Sequence, residues 1–116
     1  MKTRASPRVR TQDEVLSRLA MAEPEIRGLG VRRLAYFGSF ARDAARARSD
    51  VDLLVEFTPG AKSFDALMAL GDRLERLLGR RVDLVTLESL SPYLGPHILA
   101  EARDVLTARG APPHPR

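Results

Sequence analysis

Residues 36–57 read YFGSFARDAARARSDVDLLVEF, and this stretch decides the fold. Within it Val51, Leu53, Val55 and Phe57 alternate with Asp50, Asp52, Leu54 and Glu56. A period of two marks a β-strand whose core face is distinct from its acidic face. Just upstream, Val31 to Phe37 reads as another strand, which stops at Gly38-Ser39. That pair suits a tight turn, and the Ala- and Arg-rich run Phe40 to Ala47 after it predicts a short helix.

Outward from this centre, Thr11-Gln12-Asp13-Glu14 has the form of a capping box, and Val15, Leu16, Leu19 and Ala20 recur at helical spacing behind it. Pro24 is placed to open a second short helix through Ile26 and Leu29, ended by Gly28 or Gly30. Thr58-Pro59-Gly60 breaks the central strand. Ser63 then caps a helix whose apolar stripe runs from Phe64 through Leu67, Met68, Leu70, Leu74 and Leu77 to Leu78, before Gly79. Arg81 to Leu87 predicts a third strand, with Val82 and Leu84 on one face and Asp83 on the other. Leu90 to Ala102 reads as mainly helical around Pro92 and Pro96, and Asp104 to Leu106 as a short last strand. The expected organisation is a flexible basic arm at 1–10, one folded domain at 11–107 and a disordered Pro-rich tail at 108–116.

Composition limits what such a domain can be. With 116 residues, 44% of them hydrophobic and 29% charged, the chain has room for one compact domain with its own core. It has no cysteine, which excludes a disulfide scaffold, a thiol nucleophile and a cysteine-based metal site. His97 and His114 are the remaining nitrogen ligands; neither has a partner at ligand spacing. No signal-peptide pattern or bilayer-length apolar run is visible, so the expected compartment is the cytoplasm, with no membrane partner. The net charge of +4 belongs to the ends, because acidic residues slightly outnumber basic ones between 11 and 107. With only 5% aromatic residues there are few stacking platforms, and nucleic acid is not expected as a direct partner.

The acidic residues carry the chemistry. Asp50 and Asp52 leave the same strand face roughly 7 Å apart along the chain, and Asp83 can join them if its strand is a neighbour. Two carboxylates within ~4 Å repel by about 4 kcal/mol at an effective dielectric of ~20, so something must offset their closeness. Mg²⁺ does so directly: it prefers hard oxygen ligands, takes one or two protein carboxylates and completes its shell with water and phosphate oxygens. Paired ions of this kind clamp the attacking and leaving oxygens of phosphoryl or nucleotidyl transfer. Gly38 and Ser39 could cradle phosphates at a helix start, and Arg42, one turn on, could reach the same phosphates.

The constellation of Gly38-Ser39 and Asp50-Val51-Asp52, with the lead-in Leu29-Gly30-Val31 and the later RRVDLVT at 80–86, resembles the nucleotidyltransferase superfamily that includes DNA polymerase β. It is most similar to the small prokaryotic branch, the minimal nucleotidyltransferases (MNT), over residues 11–107. The resemblance implies an α/β (α+β) fold, a mixed β-sheet flanked by helices, with ATP as nucleotide donor and Mg²⁺ as metal. Carried over by position, Gly38 and Ser39 hold the triphosphate, Asp50 and Asp52 ligate metal, and Asp83 is the third carboxylate, binding metal and helping to activate the attacking hydroxyl. It further implies a partner: members of this branch act as antitoxins of HEPN-family toxins, some by adenylylating a toxin tyrosine. The expected assembly is thus a hetero-oligomer with the toxin, or a homo-oligomer.

One position departs from the family pattern. After Ala41-Arg42 the family usually has glycine, and this chain has Asp43. Aspartate tolerates a left-handed backbone better than most residues, but its charge could pair with Arg42 and repel a triphosphate. The alternative this opens is an antitoxin that neutralises by binding only. A nucleotidyltransferase acting on tRNA or a small molecule is the weaker third reading.

Overall fold

In the computed structural model, which describes residues 7–107, Thr11 caps helix α1 (Gln12–Met21) as its motif dictates. The Thr11 hydroxyl accepts the Glu14 N–H at 3.1 Å, and the Glu14 carboxylate reaches back to the Arg10 N–H at 2.6 Å. Pro24 lies in the first turn of α2 (Glu23–Gly28), where its missing N–H costs nothing. Strands β1 (Val31–Phe37) and β2 (Val51–Phe57) follow. Ser63 then caps α3 (Phe64–Leu78), its hydroxyl accepting the Ala66 N–H at 3.0 Å. After β3 (Val82–Thr86) and a 3₁₀ turn at Leu87–Ser89 come α4 (Gly95–Glu101) and β4 (Arg103–Leu106).

The four strands make one mixed sheet in the order β3-β2-β1-β4. β1 is antiparallel to both β2 and β4, whereas β3 lies parallel to β2. A parallel neighbour requires a crossover, and α3 supplies it. Val51, Leu53, Val55 and Phe57 join Val15, Leu19, Leu70, Leu74 and Leu78 in the main core. On the opposite face Ala35, Phe37 and Leu54 form a smaller cluster, covered by Val85, Leu87, Leu90, Ile98 and Ala102. The expected α/β (α+β) architecture, a mixed sheet flanked by helices, is therefore the observed one.

Three segments differ from the expectation. Phe40 to Ala47 is a single turn followed by irregular chain instead of a short helix, because Asp43 in a left-handed conformation ends the turn. The helix expected from Leu90 to Ala102 starts only at Gly95: Leu90 is extended, and Pro92 disfavours the helical region for Ser91 before it. Ser91 instead makes a turn, its hydroxyl accepting the Leu94 N–H at 2.8 Å. Finally, residues 7–10 of the expected flexible arm lie against the body. Val9 is fully buried and its N–H donates to the Leu78 carbonyl at 3.0 Å. The rest of that arm and the expected tail at 108–116, with His114, lie outside the described residues. Among the described residues no helix is long and apolar enough to cross a membrane.

Candidate active site

At the end of β1, Phe37 stands opposite Asp52 on β2. The next residue, Gly38, adopts φ +73°, and a β-carbon there would sit 2.0 Å from Asp52 Oδ2. Both the backbone conformation and the close approach therefore demand glycine. Ser39, Phe40 and Ala41 then wind one turn, closed by Arg42 N–H donating to the Gly38 carbonyl at 3.2 Å. Asp43 ends it at φ +56°. Its N–H donates to the Phe40 carbonyl at 3.2 Å and the Ala44 N–H to the Ser39 carbonyl at 2.8 Å, the bond pattern of a Schellman cap. The left-handed position that this cap needs is the one Asp43 occupies. The Asp43 carboxylate does not pair with Arg42; it accepts from Gln12 Nε2 at 2.6 Å, while Gln12 Oε1 accepts the Tyr36 hydroxyl at 2.6 Å.

The parallel pairing of β2 and β3 puts Asp83 directly beside Asp52, in strands that run about 4.8 Å apart. Asp50 lies two residues before Asp52, just ahead of the strand. Burial, then the charges of Asp83 and Asp50, push the Asp52 carboxyl up to about 6, with Arg42 opposing them. Such a group is held in a site that favours a cation or a proton beside it. Among the described residues no three acidic or histidine side chains stand ready as a complete metal cage. Two hard carboxylates in register nonetheless suit a divalent ion that draws its other ligands from water and phosphate. The Ser39 hydroxyl has no hydrogen-bond partner among the described residues, so it is available to a ligand at the same corner.

Two ionic side chains that the sequence did not single out hold this corner. Arg80, buried, donates to the carbonyls of Val9 at 2.7 Å, Arg46 at 2.9 Å, Ala47 at 3.1 Å and Ser49 at 2.9 Å. Its guanidinium also lies 5.1 Å from the centroid of the Phe40 ring. The missing helix follows from the cap at Asp43, which stops the turn after Arg42; the chain beyond it is then held by its carbonyls at 46, 47 and 49 turning toward Arg80. On the other side Glu101 Oε2 accepts the Gly38 N–H at 2.7 Å, and Glu101 accepts from Arg42 Nη1 at 2.9 and 3.1 Å. The groups singled out from sequence thus converge at one end of the sheet, but Arg42 and the Gly38 N–H meet an internal carboxylate there. His97 is exposed on α4.

Residues 19–105 match the family described as the nucleotidyltransferase domain. The chain is 47% identical over 77 residues to a candidate protein adenylyltransferase of Methanocaldococcus jannaschii, covering 66% of this chain and 82% of that one. It is 40% identical over 92 residues to the protein adenylyltransferase MntA of Thermococcus cleftensis, covering 78% and 92% respectively. A solved structure described as a candidate minimal nucleotidyltransferase superposes with a TM-score of 0.71 at 36% identity, over 80% of this chain and 94% of that one. A chain from the complex of tri-AMPylated Shewanella oneidensis HEPN toxin with MNT antitoxin superposes with a TM-score of 0.58 at 20% identity, over 81% and 74%, a likeness of fold alone.

Proposed function

The chain belongs to the nucleotidyltransferase domain family, in its minimal branch, and from that membership we propose that it moves AMP from ATP onto a hydroxyl, a tyrosine in the leading case, of a HEPN-type toxin and so serves as that toxin's antitoxin. The observation that carries the reading is Asp52 held beside Asp83 against the Gly38 corner. In this reading Asp50, Asp52 and Asp83 hold Mg²⁺, which when bound neutralises the phosphate oxygens and the departing pyrophosphate. Gly38 lets the nucleotide approach the backbone, and the Ser39 hydroxyl donates to a phosphate oxygen. Arg42 adds positive charge at the same phosphates. Asp83, the exposed carboxylate, takes the proton of the acceptor hydroxyl as that oxygen bonds to the α-phosphorus and the bond to pyrophosphate breaks. The partner relationship is drawn from the MntA relative and from the HEPN complex whose fold this chain shares.

The binding-only alternative drew its support from Asp43. With that carboxylate turned to Gln12 and its backbone capping the turn, nothing at this position argues against chemistry. Incubating the chain with α-labelled ATP, Mg²⁺ and the HEPN-type partner that this reading requires should label that partner. No label with the wild-type chain removes the catalytic proposal. Toxin neutralisation undiminished in an Asp50→Asn/Asp52→Asn variant would restore the binding-only reading.

A further inference from the structure

Glu101 is the last residue of α4, and β4 begins two residues later. Because β4 pairs with β1, with Arg103 opposite Tyr36, the end of α4 is delivered to the glycine corner. The Gly38 N–H lies beyond the last of these strand pairs and would have no acceptor from the sheet. The Glu101 carboxylate takes that place at 2.7 Å and simultaneously accepts from Arg42 Nη1. Burial opposes the Glu101 charge, but the Gly38 N–H and the Arg42 guanidinium outweigh it and hold its carboxyl below the usual range. A carboxylate held by these two groups of the corner has a task there.

Arg42 shows what the task is. More than half of its side chain is exposed, and its bonds to Glu101 use Nη1 alone. Nε and Nη2 have no partner among the described residues. A guanidinium is a planar fork, so fixing one nitrogen sets the direction of the others.

Resting on the proposed nucleotide site, we infer that Glu101 is a positioning residue: it ties down the Gly38 peptide and grips Arg42 by one nitrogen, so that the free edge of the guanidinium is presented to the triphosphate. The carboxylate acts through Arg42 and never touches the nucleotide. Its role differs from that of a built-in phosphate mimic, which would have to leave before a nucleotide could bind.

The full-length chain, in Mg²⁺, is titrated calorimetrically with the non-hydrolysable analogue AMP-PNP as wild type, Glu101→Gln, Arg42→Met and the double variant. Replacing a group that orients a ligand-binding side chain costs about 10-fold or more, so Glu101→Gln should bind about 10-fold more weakly, with KM for ATP rising equally and kcat nearly unmoved. The double variant should bind no worse than Arg42→Met alone, since the glutamine oxygen can still accept the Gly38 N–H and orienting Arg42 counts for nothing once the guanidinium is gone. A merely structural role would lower both kcat and the unfolding midpoint and would add to the Arg42→Met loss. Arg42→Lys, which keeps the charge but has no second edge and leaves the Gly38 contact intact, should show a comparable loss even if Glu101→Gln does not fold. Unchanged or tighter AMP-PNP binding by Glu101→Gln, additive losses, or full affinity in Arg42→Lys would overturn the inference. Wild type that binds no AMP-PNP would remove the nucleotide site itself, whereas wild type that binds while the variants match it removes only the role of Glu101.

Discussion

Arg80 and Asp52 are two charges at the same end of the sheet, and the fold treats them in opposite ways. Arg80 is buried, yet four backbone carbonyls and the Phe40 ring surround it with negative potential. Asp52 is only half-buried, yet its neighbours Asp83, Asp50 and Glu101 share its sign. The first charge is satisfied by the chain itself and can serve only as scaffold, fixing the loop that leads from the glycine corner to Asp50. The second is left in deficit, and a deficit of this kind is where a ligand can add most. The difference separates what holds the site from what works in it.

The sharpest way to break that division is Asp52→Asn. The change is nearly isosteric, so the domain should stay folded while nucleotidyl transfer falls about 10³-fold or more, a barrier increase of about 4 kcal/mol. Transfer within 10-fold of wild type, measured with labelled ATP, would place the working charge elsewhere. Arg80→Met should do the reverse. Deleting the cation removes the shared donor of four carbonyls, of which those of Arg46 and Ala47 lie on exposed residues that water can reach, so a loss of about 2 kcal/mol, on the order of 10 °C in melting temperature, is expected. A melting curve within a few degrees of wild type would show that water or a neighbouring arginine replaces the guanidinium.

A smaller effect tests the deficit at Asp52 directly. Its carboxyl is raised from 3.8 to about 6 in the folded ligand-free chain. The native state therefore binds more protons than the unfolded state between those values, and stability from this group falls as pH rises through the window. Asparagine stays neutral throughout. Asp52→Asn should thus match wild type in stability near pH 4 and exceed it above pH 7, by about 1 kcal/mol once solvent screening of a half-exposed group is discounted. Denaturant titrations at the two pH values check the sign: no gain at the higher pH would mean that the like charges are already relieved.

The elements that periodicity controls were legible in the sequence: the alternation in Val51 to Phe57, the capping residues Thr11 and Ser63, and the stripe that closes at Leu78. The faces of Asp52 and Asp83 were legible too, because strand alternation tells which face a side chain leaves, whereas Asp50 falls just ahead of β2, where that rule no longer places it. What alternation cannot tell is which strand lies beside which. Asp83 was conditional on β3 pairing with β2, and Glu101 was invisible because its position depends on β4 pairing with β1 across the whole chain. Arg80 escaped for a related reason. In Gly79-Arg80-Arg81 two arginines look alike, and only the path of 46–49 makes one of them a buried scaffold while the other stays exposed. The helix wrongly expected over Phe40 to Ala47 is a different error: the composition of the run favours a helix, but Asp43 takes the left-handed conformation that caps the turn after Arg42.

The smallest effect is expected at Asp43, where scaffold and site meet. Its left-handed backbone ends the turn, and its carboxylate bonds to Gln12. Asp43→Gly relieves the backbone by several tenths of a kcal/mol but gives up one exposed hydrogen bond, so stability should stay within about 0.5 kcal/mol. Asp43→Ala gains no such relief and should lose about 1–2 kcal/mol, which separates the backbone contribution from that of the charge. Asp43 weighs on the Tyr36 hydroxyl and is not among the charges that act on Asp52. Removing its carboxylate should therefore change AMP-PNP affinity by less than about 2-fold, well under the ~1.4 kcal/mol that a tenfold change represents. If Asp43→Gly instead tightened binding tenfold, its charge would be working against the triphosphate after all, and this position would belong with Asp52 instead of with Arg80.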